Sequence, residues 1–399
     1  MMLHMQDWKM TTIAECSTIL GDGLHGTPKY DENGEYAFIN GNNLHDGKIV
    51  IKPDTKCVGF SEYEKHKKEL TDRTVLVSIN GTLGNIAVYN GEKVILGKSA
   101  CYFNVSTDCD VQFMRYVVSS PRFQQYINSV ATGTTIKNVS LKQMREYSFL
   151  IPELEEQQRI AKVLNLLDQK IENNQKINDN LYAQARTITN QWISENDNDY
   201  ELLPLSEVAA INPDTYSPKE EWEYVNYLDT SSITDGYITD NQRITPSTEK
   251  LPSRARRIIV SNDVVFSTVR PNQRHFGIIS EPLPNMLAST GFAVIRSKNP
   301  LVCNELIYLC LTDNAFIDKM QQLAEQSTST FPSIKPSDLG VCEIPCPKDD
   351  SSSSLTETLK AMFALIAANH RENASLVELR DSLLPKLMAG EIDVSNIQL

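Results

Sequence analysis

The sequence is written twice, and that repeat limits the fold more than any other feature. WKMTTIAEC (8–16) returns in pattern as YELLPLSEV (200–208), an offset of 192. DRTVLVSINGTLGNIAVY (72–89) returns as NDVVFSTVRPNQRHFGII (262–279), with Ser78 falling on Ser267. ACYFNV (100–105) lines up with GFAVIR (291–296), and GTTIKNVSLKQM (133–144) more loosely with STSTFPSIKPSDL (327–339). The helical segments that follow match at an offset of 195. Chance explains one such pair but hardly five in the same order, and loop insertions account for the drift in offset. The order is globule, helix, globule, helix.

Short β-branched runs such as TVLVSI (74–79) and VVFSTV (264–269) predict strands. Residues 111–130 and 304–323 carry apolar side chains at helical spacing. Gly, Asn and Pro clusters at 21–34, 80–85, 212–218 and 271–274 mark exposed loops. The expectation is a mixed α/β chain with two globules, 1–151 and 200–347, separated by spacer helices over 152–199 and 348–399. Each globule is large enough for one core.

The helices carry an oddity. In the first, an alternating 3–4 spacing runs Leu164, Leu167, Ile171, Asn174, Asn178, Leu181, Ala185, Ile188, Trp192, the a/d seam of a coiled coil. Adding 195 gives Leu359, Met362, Ile366, Asn369, Asn373, Leu376, Arg380, Leu383, Leu387. Two such helices pack most economically on each other, antiparallel, with their central amides meeting. A seam amide costs stability unless partnered, and what it supplies is register. Asn174 and Asn178 opposite Asn373 and Asn369 would lock the midpoints. The alternative turns these amides to solvent and gives Ile177 to the core. Arg380 is expected near an end, where its head reaches water. A helix from about Glu155 to Ile193 is roughly 55–60 Å long, enough to hold two heads about one DNA turn, 34–36 Å, apart.

Net charge is −13, which argues against a chain that coats nucleic acid unaided. The acidity lies outside 1–151, where 16 basic residues balance 16 acidic ones. DNA contact must come from local clusters or a basic partner. The start, MMLHMQDWKM, lacks the pattern of a secretory leader, and no apolar run approaches membrane-span length, so a cytoplasmic protein with no membrane partner is expected. The eight cysteines are scattered and form neither a zinc nor a redox motif, which fits reduced thiols.

HGTPKY (25–30), IPELEEQQRIAKVLNLLDQKI (151–171), STVRPN (267–272) and LRDSLLPKLMAGEI (379–392) resemble the specificity subunits of type I restriction–modification enzymes. The resemblance covers the whole chain. It implies two target recognition domains, each reading half of a split double-stranded DNA target, separated by the two helices. It also implies docking of two methyltransferase subunits and, later, restriction subunits. Adenine methylation with S-adenosylmethionine, and ATP- and Mg-dependent cleavage, would then belong to those partners, the chain itself being non-catalytic and without a cofactor. One departure is CPKDDSSSSLTE (346–357) ahead of the second helix in place of a second LEEQQRIA. Its Ser run reads as a flexible or extended joint, which leaves the start of that helix open.

Arg, Asn, Gln and Lys read base edges, with Ser and Thr as adaptable donors. STVRPNQRHFG (267–277) gathers Arg270, Asn272, Gln273, Arg274 and His275 on one loop. The matching SINGTLGN (78–85) offers Asn80, Thr82 and Asn85 on a glycine-rich backbone that permits close approach to phosphate. A second pair of loops offers Thr134, Thr135 and Lys137 in one copy and Ser329, Thr330 and Lys335 in the other, suited to phosphate contacts. Arg254, Arg256 and Arg257 of SRARR form the one dense basic cluster. The bland readings are plain turns, helix caps and a solvated surface run, and His25 reads as structural.

GEKVILGKS (91–99) has five residues between its glycines where a phosphate loop needs four, and it runs into a strand. NPDTY (212–216) lacks the second proline of an adenine methyltransferase motif. HExxH and GxSxG are absent. This suits a reading subunit, and a paired-helix scaffold binding only proteins is the competing class.

Overall fold

A computed structural model describes residues 8–196, 198–217, 219–327, 331–349, 353–395 and 397. The chain forms two compact units, residues 1–172 with 373–399 and residues 173–372. Each unit takes one globule and a part of both long helices.

In the first unit, Thr74–Ser78 is buried at all five residues. It lies between Ala100–Val105 and Ile86–Val88, and Ser17–Asp22 completes a four-stranded antiparallel sheet. Sheets covered on both faces read as near-continuous buried runs, and TVLVS and ACYFNV do. A three-stranded sheet sets Tyr36–Ile39 between antiparallel Cys57–Val58 and parallel Val94–Leu96. Ile39, Leu76, Leu96 and Tyr102 belong to one apolar cluster that joins residues of both sheets. Helices Val111–Ser119 and Pro121–Val130 contribute Phe113, Val117, Phe123 and Ile127 to the main core. The helical pattern over 111–130 is interrupted because Pro121 cannot continue a helix; Ser120 ends one and caps the next, accepting from the Phe123 N–H at 3.3 Å. Lys9–Thr12 pairs antiparallel with Ser148–Ile151, joining the start of the globule to its exit.

The second unit repeats the plan. Ala209–Ile211, Phe292–Ser297, Asp263–Ser267 and Phe276–Ile279 form an antiparallel sheet in that order. A second sheet runs Gln242–Ile244, Val225–Leu228, Met286–Ser289, Ala255–Ile258, and Tyr200–Pro204 pairs with Glu343–Pro347. Strand pairing corrects one alignment. Ser78 stands opposite Ala100 and Ser267 opposite Phe292, so Ala100 corresponds to Phe292 and not to Gly291. Main-chain register fixes this correspondence, which side-chain similarity misjudges by one residue. It also equates two polar pairs on the paired strands. Thr74 donates to Asn104 at 2.6 Å in the first copy, and Arg296 donates to Asp263 at 2.7 and 2.9 Å in the second.

The long helices span Leu154–Glu195 and Ser353–Met388. Ser353 and Ser354 are already helical, so the expected Ser-rich joint is shorter than its sequence; residues 350–352 lie outside the described ones. In the first unit, Leu164 shares a core with Leu384 and Leu387. Arg380 donates to Asp168 at 3.0 Å, and Asn373 to the Ile171 carbonyl at 3.3 Å. In the second, Asn174 donates to Glu372 at 2.8 Å and Asn369 to Asn178 at 2.7 Å, while Tyr182 meets the Phe363 ring edge-on. In each unit one residue number rises as its partner's falls, so the segments run antiparallel. Asn174 and Asn178 are 1% and 0% exposed and Ile177 is 46% exposed, which overturns the alternative that placed Ile177 in the core. Arg380 is held by Asp168 and Asp381 instead of relying on water alone. Among the described residues no helix is long and apolar enough to cross a membrane.

Candidate nucleic-acid interface

The two loops singled out in each globule are joined. In the first unit, Asn80 and Asn138 form a backbone bridge. The Gly81 N–H donates to the Lys137 carbonyl at 3.0 Å and the Val139 N–H to the Ile79 carbonyl at 2.9 Å. In the second unit, Val269 and Ser333 form the bridge. The Arg270 N–H donates to the Pro332 carbonyl and the Ile334 N–H to the Thr268 carbonyl, both at 2.9 Å. These are the same contacts at corresponding positions. Gly81 and Arg270 also share a left-handed backbone, with φ of 75° and 48°. Glycine adopts this at no steric cost; arginine does so under strain of about 1–3 kcal/mol, which functional sites commonly store.

In the first loop pair the exposed tips are short. Asn85 is turned inward, donating to the Gly41 carbonyl at 3.1 Å, and Asn80 is tied to Asn138 at 3.0 Å. The Thr82 side chain is exposed, while its carbonyl accepts from Ser78 Oγ. Thr134, Thr135 and Lys137 are exposed on a small loop closed by reciprocal N–H bonds between Thr132 and Asn138. His25 pairs with Asp22 at 2.7 Å.

The second loop pair presents longer side chains. Pro271–Gln273 is one 3-10 turn between Arg270 and Arg274, both left-handed, with Pro271 buried. Arg274 reaches Asp235 at 2.5 Å and Asn314 at 3.0 Å; His275 Nδ1 lies 2.7 Å from the Ile233 carbonyl and 3.1 Å from Thr234 Oγ1. These two side chains brace the turn. The Asn272 N–H adds a bond to Gln321 at 3.3 Å. The side chains of Asn272 and Gln273 are exposed and have no hydrogen-bond partner among the described residues. The Arg270 guanidinium lies 4.8 Å from the ring of Phe331, which is 53% exposed. Phe331 was missed in the sequence, although a phenylalanine inside the Ser/Thr run STSTF was the signal. Lys335 is exposed, and its N–H bonds the Asp338 side chain at 2.7 Å at the start of helix Pro336–Gly340. Ser329 and Thr330 lie outside the described residues.

The basic cluster sits on an edge strand, Ala255–Ile258. Arg254 is exposed, and its carbonyl accepts from the Thr290 N–H, next to Gly291, which accepts from Thr268. That chain of contacts brings Arg254 close to the second loop pair. Arg256 and Arg257 are half-buried. Arg256 Nε donates to the Ser253 carbonyl at 3.2 Å, and burial pulls the Arg257 guanidinium below its usual range. Among the described residues no group of three or more His, Cys, Asp or Glu side chains could hold a metal ion.

Residues 5–183 match the model of the type I restriction modification DNA specificity domain. Over 423 aligned residues the chain is 22% identical to the MjaIX specificity subunit of Methanocaldococcus jannaschii, covering 98% of this chain and 95% of that protein. Along its whole length the chain is thus similar to type I specificity subunits, and over residues 5–183 to their DNA specificity domain. It is 24% identical to the HindI specificity subunit of Haemophilus influenzae over 133 residues, which is 33% of this chain and 29% of that protein. It shares its fold with the crystal structure of the type I restriction–modification S subunit from M. genitalium, at a TM-score of 0.56 and 20% identity, with 97% and 98% of the two chains covered. In this chain the LEEQQRIA and LLPKLMAGEI segments meet in one core, where Ile160, Ala161 and Leu164 pack with Leu384, Leu387 and Val394. Gln157 is buried because its amide bonds both the Asp110 N–H and the Pro152 carbonyl, at 2.9 Å each.

Proposed function

We propose that the chain reads a two-part DNA target. Residues 1–151 and 200–347 act as recognition domains for the two half-sites, and the helical segments over 152–199 and 348–399 fix the gap between them. The observation that carries this is the repeated loop pair. Both units build the same bridged backbone, yet one presents Thr82, Thr134, Thr135 and Lys137 and the other Arg270, Asn272, Gln273 and Lys335. A constant scaffold with a changed polar set is what two different half-sites require, since base edges are told apart by donor and acceptor pattern.

On this reading the chain does no chemistry. Two methyltransferase subunits dock on it and methylate adenine with S-adenosylmethionine, and restriction subunits add ATP- and Mg-dependent cleavage in the cytoplasm. Leu166 and Leu379 in the first unit, and Ile177 and Leu365 in the second, are apolar residues left 45–47% exposed on the long helices, as partner-docking positions would be. The test is an adenine methylome, taken with the cognate methyltransferase subunit in a methylation-free host. Residues 200–347 are then exchanged for another recognition domain. A split motif with a fixed gap, one half of which changes on exchange, supports the proposal. A methylating complex whose motif ignores the exchange sinks it.

A further inference from the structure

We propose that Gln273, supported by Asn272, reads an adenine in the half-site governed by residues 200–347. This rests on the DNA-reading function above and assigns a base to one of its loops.

Four groups in that loop already have work. Pro271 is buried, Arg274 is tied to Asp235 and Asn314, His275 is held at Ile233 and Thr234, and Arg270 stacks on Phe331. The main chain is fixed from both ends, through the Arg270 N–H on Pro332 and the Asn272 N–H on Gln321. Two primary amides remain, adjacent, exposed and unbonded among the described residues, on a turn with no glycine. A rigid turn lowers the ordering cost of a contact made by its side chains.

The chemistry of a primary amide then selects the base. Its N–H₂ donates and its carbonyl accepts side by side. Adenine offers the matching N7 acceptor and N6 amino donor on its major-groove edge. Guanine presents two acceptors there, which suits Arg or Lys instead. The neighbouring Arg270, held 4.8 Å from the Phe331 ring, carries a positive charge that suits a phosphate contact. The first unit cannot make this contact in the same way. Between Gly81 and Asn85 it has Thr82, Leu83 and Gly84, with Leu83 packed against the core and Gly84 closed over by Gln124, so no long amide reaches out.

The experiment uses the full chain in complex with its methyltransferase subunit. Methylomes are recorded for the wild type, Gln273→Ala, Gln273→Arg and Asn272→Ala. Gln273→Ala should relax one A·T position in the half-site that follows residues 200–347, and Gln273→Arg should move that position towards G·C. The other half-site and the gap should not change, which shows that the variants fold. In parallel, the wild-type complex is titrated with duplexes carrying 7-deazaadenine at each adenine of that half-site. Loss of N7 at one position should weaken wild-type binding about tenfold and leave Gln273→Ala unaffected. A wild-type motif that persists unaltered in Gln273→Ala and Gln273→Arg overturns the proposal while leaving the two-part reading intact. So does equal sensitivity of wild type and Gln273→Ala to 7-deazaadenine. A wild-type complex that methylates without any split motif overturns the reading itself.

Discussion

Asn369 donates from Nδ2 to Oδ1 of Asn178 at 2.7 Å, with both side chains buried between the two long helices of the second unit. The pairing is satisfied in one register only, which gives polar seam residues their use. Asn178 Nδ2 has no partner among the described residues, so the pair is incomplete as an energy source. Asn369→Leu alone should lower stability by about 1–3 kcal/mol, because it leaves Asn178 buried with both ends unmet. Asn178→Leu with Asn369→Leu should melt at or above the wild-type temperature. Thermal unfolding of the three proteins decides. A double variant as unstable as the single would mean that the amides hold more than register.

Asp168 ties a globule helix to both long helices within the first unit. It accepts from Arg115 and Tyr116 at 2.6 Å each, and from Arg380 at 3.0 Å. Burial alone would raise its pKa, but Tyr116, Arg115 and Arg380 together hold it below the usual 3.8. A depressed folded pKa stabilises above the unfolded value and loses that contribution as pH falls through the folded one. The wild type should therefore weaken on acidification below about pH 4, and Asp168→Asn should lack that part of the slope. At neutral pH the variant should be less stable by about 2–3 kcal/mol, since Arg115 loses its counter-ion and Arg380 keeps only Asp381. Urea unfolding at a series of pH values measures both effects.

The repeat itself supplies a compensation test. Asp263 is 0% exposed and faces Arg296, where the first copy has Thr74 and Asn104. Arg296→Asn alone strands a buried carboxylate and should cost about 3–5 kcal/mol. Adding Asp263→Thr installs the first copy's neutral pair and should recover most of the loss. Denaturant midpoints of the single and double variants give the answer. No recovery would show that the two sites are not structurally equivalent.

The sequence made the long-period features legible and left the local ones obscure. The heptad spacing located both helices because seam burial repeats every few residues over many turns. Residues Asn174, Asn178 and Asn369 stood out because amides interrupt that pattern. The partner of Asn174, Glu372, did not, because Glu372 lies off the seam and only the side chain's reach brings it in. In the loops, composition marked Arg270 to His275 as one group but could not divide it. Arg274 and His275 are bracing residues because of Asp235, Asn314 and Ile233, which come from distant parts of the chain. Similarly, nothing local to SINGTLGN or TGTTIKN foretells that Asn80 and Asn138 bridge. Those contacts depend on strand register, which residue type alone misjudged at Ala100.

Arg270 and Phe331 offer a test that tells affinity from specificity. The guanidinium lies 4.8 Å from an exposed ring on a strained backbone, next to the amide turn but distinct from it. If this group meets phosphate, Arg270→Gln should weaken DNA binding by a similar factor for cognate and non-cognate duplexes, and the slope of log K against log salt should shrink by about 1. Phe331→Ala should produce a milder version, because it releases the guanidinium without removing its charge. The methylated motif should stay the same in both. Salt-dependent anisotropy titrations of the complex measure the slope. A changed motif with an unchanged slope would move Arg270 from the backbone-contacting set to the base-reading one, since a bidentate arginine–guanine contact alters sequence preference at one position and not the affinity at every site.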